Sequence, residues 1–218
     1  MSSNTTNLNF EEIIGAATRS VSEAFIKQGK PVRTITLERS YATSTDDLWD
    51  AVTNPVRLAR FFSPVSGELK LGGRYQIEGN AEGTITDCVP PTNFAATWEL
   101  GGELSWIEIR IDSEAHDRSR LSLSHICPVD EHWETYGPGA GGVGWDLTLL
   151  GLYAHLTITG FDQEDGIALM VSEEGRSFMV QASELWGQAA IAAGTPQAAA
   201  VTAMNRTTAF YLSEESQA

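Results

Sequence analysis

Apolar and polar positions change rhythm twice along the chain. Between residues 9 and 28, Phe10, Ile13, Ile14, Ala17, Val21 and Phe25 recur at three- and four-residue intervals. This spacing predicts a helix, with Asn9 as cap, Glu12 three residues later and Gly29 beyond the end. The stretch VRTITLERSY, residues 32–41, alternates and is rich in β-branched side chains, so it predicts a strand. Ser44 followed by Asp47 marks the start of a helix carrying Leu48, Trp49 and Val52. Pro55 restarts the chain in a second short helix, PVRLARFF.

From Gly67 to Cys127 the period falls to two. Strands are predicted near 66–71, 73–79, 83–89, 94–100, 104–112 and 119–127, separated by Gly, Pro and Asn. No helical run interrupts them, so an antiparallel meander is expected rather than βαβ units. One face carries Tyr75, Ile77, Phe94, Ala96, Trp98, Ile107, Ile109, Ile111, Leu121, Leu123 and His125. The other carries Arg74, Glu99, Glu108, Arg110, Arg120 and Ser122, as expected for a sheet covered on one side.

Helical spacing returns at residues 143–158. Val143, Leu147, Leu150, Ala154 and Ile158 form one face, and Trp145, Leu149, Leu152 and Leu156 an adjacent one. An apolar arc this wide predicts a helix buried on two sides. Ser172 then caps a predicted helix bearing Phe178, Ala182, Leu185, Ala189 and Ala192, closed by Gly194. Thr195-Pro196 opens a last helix to about Tyr211, and residues 213–218, SEESQA, read as a frayed acidic tail.

Charge removes several classes of partner. The 218 residues carry 29 acidic and 14 basic side chains, a net charge of −15. Neither a nucleic acid nor an anionic membrane suits such a surface, and no apolar run is long enough to span a bilayer. The start MSSNTTNLNFEE lacks a basic region followed by an apolar one, so a cytoplasmic location is expected. Cys88 and Cys127 sit in no metal-binding spacing and read as reduced thiols; no metal and no cofactor are expected.

The glycines of GPGAGG raise a different possibility. Gly137, Gly139 and Gly142 satisfy GxGxxG before a helix, and Asp162 lies twenty residues beyond Gly142. The context argues against a dinucleotide site. PVDEHWETY separates the motif from the strand before it, and no parallel strand follows. The remaining reading is steric: a flexible gate over residues 137–145 that feeds the long helix.

The stretch SYATSTDDLWDAVTNPVRLARFFSPVSGELKLGGRYQIEG, with Trp49, Pro55, Leu58, Gly72-Gly73 and Tyr75, resembles the SRPBCC superfamily of START and Bet v-like proteins. Within it, the similarity is to homologues of the activator of heat-shock-protein-90 ATPase. Pro90-Pro91, Trp98, RLSLSH ending at His125, and Gly144-Trp145 continue the match in order over about residues 32–158. The family often has Trp where this chain has Phe61.

The resemblance implies an α+β helix-grip fold: a curved antiparallel sheet wrapped around a long C-terminal helix. The domain division expected is an N-terminal helix extension at 1–30, the helix-grip module at 31–159, and a C-terminal helical extension at 160–218. It also implies an apolar cavity between sheet and long helix, holding a hydrophobic small molecule. Tyr75, Trp98, Ile109, Leu123, Trp145 and Leu149 are expected to line it. His125, inward among leucines, is either a satisfied core histidine or a polar anchor for the ligand. His132, Trp133, Glu134 and Tyr136 are placed in a loop at the cavity mouth, and Asp146 at the helix dipole.

No convincing catalytic set is present. Three alternatives stay open. A polyketide-cyclase-like enzyme on an aromatic substrate would use His125 as base, Tyr75 as acid or oxyanion donor and Asp146 to orient the imidazole. A chaperone ATPase activator-like interaction protein is the second. A homodimer through the terminal helices is the third.

Overall fold

The structure, a computed structural model, describes residues 8–213. The first seven residues of the N-terminal extension, and the acidic tail apart from Ser213, lie outside the described residues. The fold is α+β. Strands β1 (Ala17–Val21), β2 (Phe25–Lys27), β3 (Lys30–Tyr41), β4 (Val65–Gly67), β5 (Arg74–Ile77), β6 (Glu82–Val89), β7 (Asn93–Leu100), β8 (Glu103–Ala115) and β9 (Arg118–Pro128) form one sheet. Its order is β1-β3-β9-β8-β7-β6-β5-β4, with β2 also on β3, and every pairing is antiparallel. Register shifts at Ile85/Asp87 and Ser113/Ala115 add local bend to a curved sheet that does not close.

Alternation fixes which side is inward. Leu37, Leu123 and Ile109 stand opposite one another across three neighbouring strands, and all are buried. A slip of one residue would send each of them to solvent, so burial of this face specifies the register.

Helices α2 (Thr45–Thr53) and α3 (Pro55–Phe61) follow β3. Ser44 Oγ accepts from the amide of Asp47, and Asn54 caps the second helix with Pro55 at its first turn, as the spacing predicts. The long helix α5 (Gly139–Thr157) packs on β3 and, on other sides, on α3, α7 (Glu173–Ala192) and α8 (Gln197–Leu212). It is therefore buried between the sheet and the C-terminal helices, which accounts for its wide apolar arc. No helix among the described residues is long and apolar enough to cross a membrane.

Several expected elements differ. The helix expected over 9–28 is α1 (Phe10–Gly15), six residues long, and the rest forms β1 and β2 on the edge of the sheet. Spacing of four satisfies a period of two as well as one of 3.6, so Ala17 and Val21 fit either element. Gly15 weakens the helix, and pairing with β3 decides the outcome. The run expected at 66–71 keeps strand pairing only over Val65–Gly67. The loop expected after β9 contains a helix, α4 (Glu131–Tyr136), capped by Asp130. A further helix, α6 (Gln163–Val171), begins at a capping box between Asp162 and Asp165 that the sequence reading passed over.

The glycine gate is also corrected. Gly137, at φ 61°, ends α4, but Gly139, Gly141, Gly142 and Gly144 lie inside α5. A Cβ on Gly142 would stand 2.3 Å from the indole of Trp186. Gly139, Gly142 and Gly144 let α7 and α8 approach α5 closely, and Gly141 faces Ile35 of the sheet; residues 137–145 are a packing surface, not a hinge.

Candidate functional site

A cavity of about 300 Å³ lies between the inward face of the sheet, α5, and the cover made by α2 and α3. Tyr75 from β5, Trp98 from β7, Ile109 from β8, Leu123 from β9, and Trp145 and Leu149 from α5 all stand on its wall. Helix α2 adds Trp49, Val52 and Thr53; α3 and the residue after it add Leu58, Phe61 and Phe62. Leu69 and Pro90, both exposed, border it on the outside.

The aromatic residues brace one another. Trp98 meets Trp145 edge-on with ring centres 5.1 Å apart, Phe62 stacks on Trp145 at 6.4 Å, and Trp49 meets Phe94 edge-on at 6.1 Å. Tyr75 pairs with Gly83 on β6, and its hydroxyl donates to the carbonyl oxygen of Thr97 on β7 at 2.6 Å. A Cβ on Gly83 would stand 2.0 Å from that same oxygen, so this glycine admits the close approach of the backbones.

His125 is not on the cavity wall; it sits behind the two tryptophans. The indole N–H of Trp145 donates to His125 Nδ1 at 3.0 Å. An indole nitrogen can only donate, so Nδ1 is the acceptor and Nε2 carries the proton. Nε2 is 2.8 Å from Ser105 Oγ, which in turn donates to the Trp98 carbonyl at 3.1 Å. Burial pushes the imidazole down to about 4 from its ordinary 6.5, so it stays neutral near pH 7. Its role in the fold is to fix the Trp145 ring.

Asp146 is not merely a helix-dipole residue. It is 2 % exposed and receives Arg19 from β1 at 2.6 Å, with the Arg19 side chain 5 % exposed. The indole N–H of Trp186 donates to the same carboxylate at 2.8 Å. Burial raises the Asp146 carboxyl above its usual range, against the pull of Arg19 and Trp186. Arg39 stands nearby, donating to the Ile13 carbonyl with its guanidinium over the Tyr153 ring at 4.6 Å. Neither Arg19 nor Trp186 is among the site residues expected from the sequence. The signal was present: Asp146 lies three residues after Val143 and four before Leu150, on an apolar helix face, and a buried carboxylate there needs a cation.

The trio His125, Tyr75 and Asp146 is thus not one unit. Asp146 is bound to Arg19 and Trp186 rather than to the imidazole, and the Tyr75 proton is held by Thr97. Trp133, Glu134 and Tyr136 belong to α4 and border a separate hollow of about 240 Å³ against α7 and α8, away from the cavity mouth where they were expected.

The sequence profile of the family "Activator of Hsp90 ATPase homolog 1-like protein" matches residues 42–157, just over half the chain. The chain belongs to this family. No curated protein matches it. Among solved structures, the family member is similar to CalU16 from Micromonospora echinospora. The crystal structure of that protein is 27% identical with a TM-score of 0.64, covering 80% of this chain and 98% of that one. Its solution structure is 25% identical with a TM-score of 0.70, covering 82% and 97%. EF2215 from Enterococcus faecalis, a conserved protein of unknown function, shares the fold at 17% identity and a TM-score of 0.56, over 84% of this chain and 99% of that one. DynU16, a protein of the dynemicin biosynthetic locus, shares it at 21% identity and a TM-score of 0.50, over 59% and 48%. The CalU16 and EF2215 matches extend well beyond residues 42–157, so both cover part of the terminal additions as well.

Proposed function

We propose that this family member binds a small hydrophobic molecule in the cavity between the sheet and α5. The observation that carries this reading is the wall itself. Aromatic and aliphatic side chains from three helices and most of the sheet converge on about 300 Å³, the lower end of the usual range for ligand sites. No carboxylate, imidazole, amine or guanidinium is among the residues lining it. That lining favours holding a ligand over acid–base chemistry on one: no histidine or carboxylate is on the wall, and the Tyr75 proton is committed to Thr97, with burial raising its pKa.

Ala96 is buried on β7 at the cavity wall, which makes it the residue to enlarge. The neutral dye 1-aminoanthracene is expected to gain fluorescence on binding the wild-type protein. Ala96→Phe, which fills the space, is expected to weaken that binding at least about tenfold while keeping a cooperative thermal transition. Equal dye binding by a folded Ala96→Phe protein would remove the cavity from the account.

A further inference from the structure

Resting on that reading, we infer that the ligand is electrically neutral along its whole length, and that the cavity rejects the carboxylate or ammonium form of a skeleton it accepts as an alcohol. Apolar pockets often hold amphiphiles by an ionic contact at one end, and no charged side chain lines this one. Four of the cations near the site carry carboxylate partners, and Arg60 on α3 is exposed to solvent and is not among the lining residues. Arg57, which joins α3 to α2, is bound by Asp47 at 2.7 Å and Asp50 at 3.1 Å. Lys70, next to Leu69 at the rim, is 3.2 Å from Glu68. Arg74, next to Tyr75, lies between Glu82 and Glu99 on the opposite, exposed face of the sheet. Arg19, at the far side of α5, belongs to Asp146. A carboxylate entering the cavity would shed its water and meet no cation on the wall, on a chain whose net charge is −15.

The hydroxyl groups on the wall are committed, and the other polar atoms there, the indole N–H groups of Trp49 and Trp98 and the Cys88 thiol, are neutral donors that suit a neutral oxygen. The hydroxyl protons of Tyr75, Thr53 and Thr148 go to the carbonyl oxygens of Thr97, Trp49 and Gly144 at 2.6, 2.7 and 2.9 Å. Each oxygen keeps lone pairs, which accept from a neutral hydroxyl and repel a carboxylate. Lone pairs of this kind do not repay the desolvation of an ammonium either, because a few neutral acceptors and cation–π contacts are weaker than the full hydration shell they replace. Burial holds the Tyr75 phenol well above its usual range, so it supplies no negative charge to pair with a cation.

The test uses three naphthalene probes of one skeleton at neutral pH: 2-naphthalenemethanol, 2-naphthoate and 2-naphthalenemethylammonium. Each competes with 1-aminoanthracene on the full chain. The alcohol is expected to displace the dye with an affinity at least about tenfold above either ion. Parity between the alcohol and either ion, within about threefold, overturns the inference while leaving a ligand-binding cavity in place. Failure of the neutral dye itself to bind is a separate result, and it overturns the proposed function on which the inference rests.

Discussion

Asp146→Ala is expected to destabilise the protein by about 3–5 kcal/mol, the cost of leaving a buried ion without its partner. The Arg19 side chain is 5 % exposed, so solvent does not screen the loss. Without the carboxylate, the guanidinium keeps only the carbonyls of Ile14 and Ala17, at 3.3 and 3.0 Å, and the Trp186 N–H loses its acceptor. Three separated parts of the chain meet at this carboxylate: β1, α5 and α7. Its removal therefore loosens both terminal additions from the long helix. Urea denaturation of the two proteins gives the difference directly. The double variant Arg19→Met with Asp146→Leu is expected to recover most of it, because apolar side chains of similar volume pack without an unpaired charge. A loss below about 1 kcal/mol in Asp146→Ala would contradict the geometry described for the pair.

The second large effect is in pH dependence. His125 takes up a proton at about 4 in the folded protein and at about 6.5 when unfolded. Below the unfolded value the unfolded chain binds the proton and the folded chain does not, so stability falls as pH falls through this window. The contribution is complete above about pH 6.5, and roughly 3 kcal/mol is lost by pH 4. His155, lowered by burial with Arg57 and Arg60 close by, adds a slope of the same sign. The contrast with His125→Gln isolates the His125 share. Glutamine accepts from Trp145 and donates to Ser105 but does not titrate, so its stability curve is expected to be flatter by about that amount between pH 6.5 and 4. Superimposable curves would show that the imidazole is not held neutral by burial.

The fold was legible because most of its signals are local. Alternation in β7, β8 and β9 and the caps at Ser44 and Ser172 lie within a few residues of what they determine. The ordered motifs around Trp49, Tyr75 and Trp98 then pointed to one family. Tyr75, Trp98, Ile109, Leu123, Trp145 and Leu149 face the cavity because the face of a strand or helix follows from its period. What stayed hidden depends on pairing at a distance. Whether Ala17–Val21 coils or extends is decided by β3, not by its own spacing. Context removes the phosphate-loop reading of GPGAGG, but a hinge and a helix contact fit it equally well until Trp186 and Thr207 occupy the space over Gly142 and Gly139. His125 faces inward as expected, yet Trp98 and Trp145 stand between it and the cavity, an ordering that no single strand encodes.

The most direct measurement is isotope-filtered NMR of the methyl-labelled protein saturated with 2-naphthalenemethanol. Cross-peaks from the naphthalene ring to the methyls of Ile107, Ile109, Leu121, Leu123, Leu149 and Leu152 are the predicted result, because these residues surround the cavity. Contacts confined to exposed methyls such as Ile26, Val56 or Ile167, or no contacts at all at saturation, would contradict an interior site.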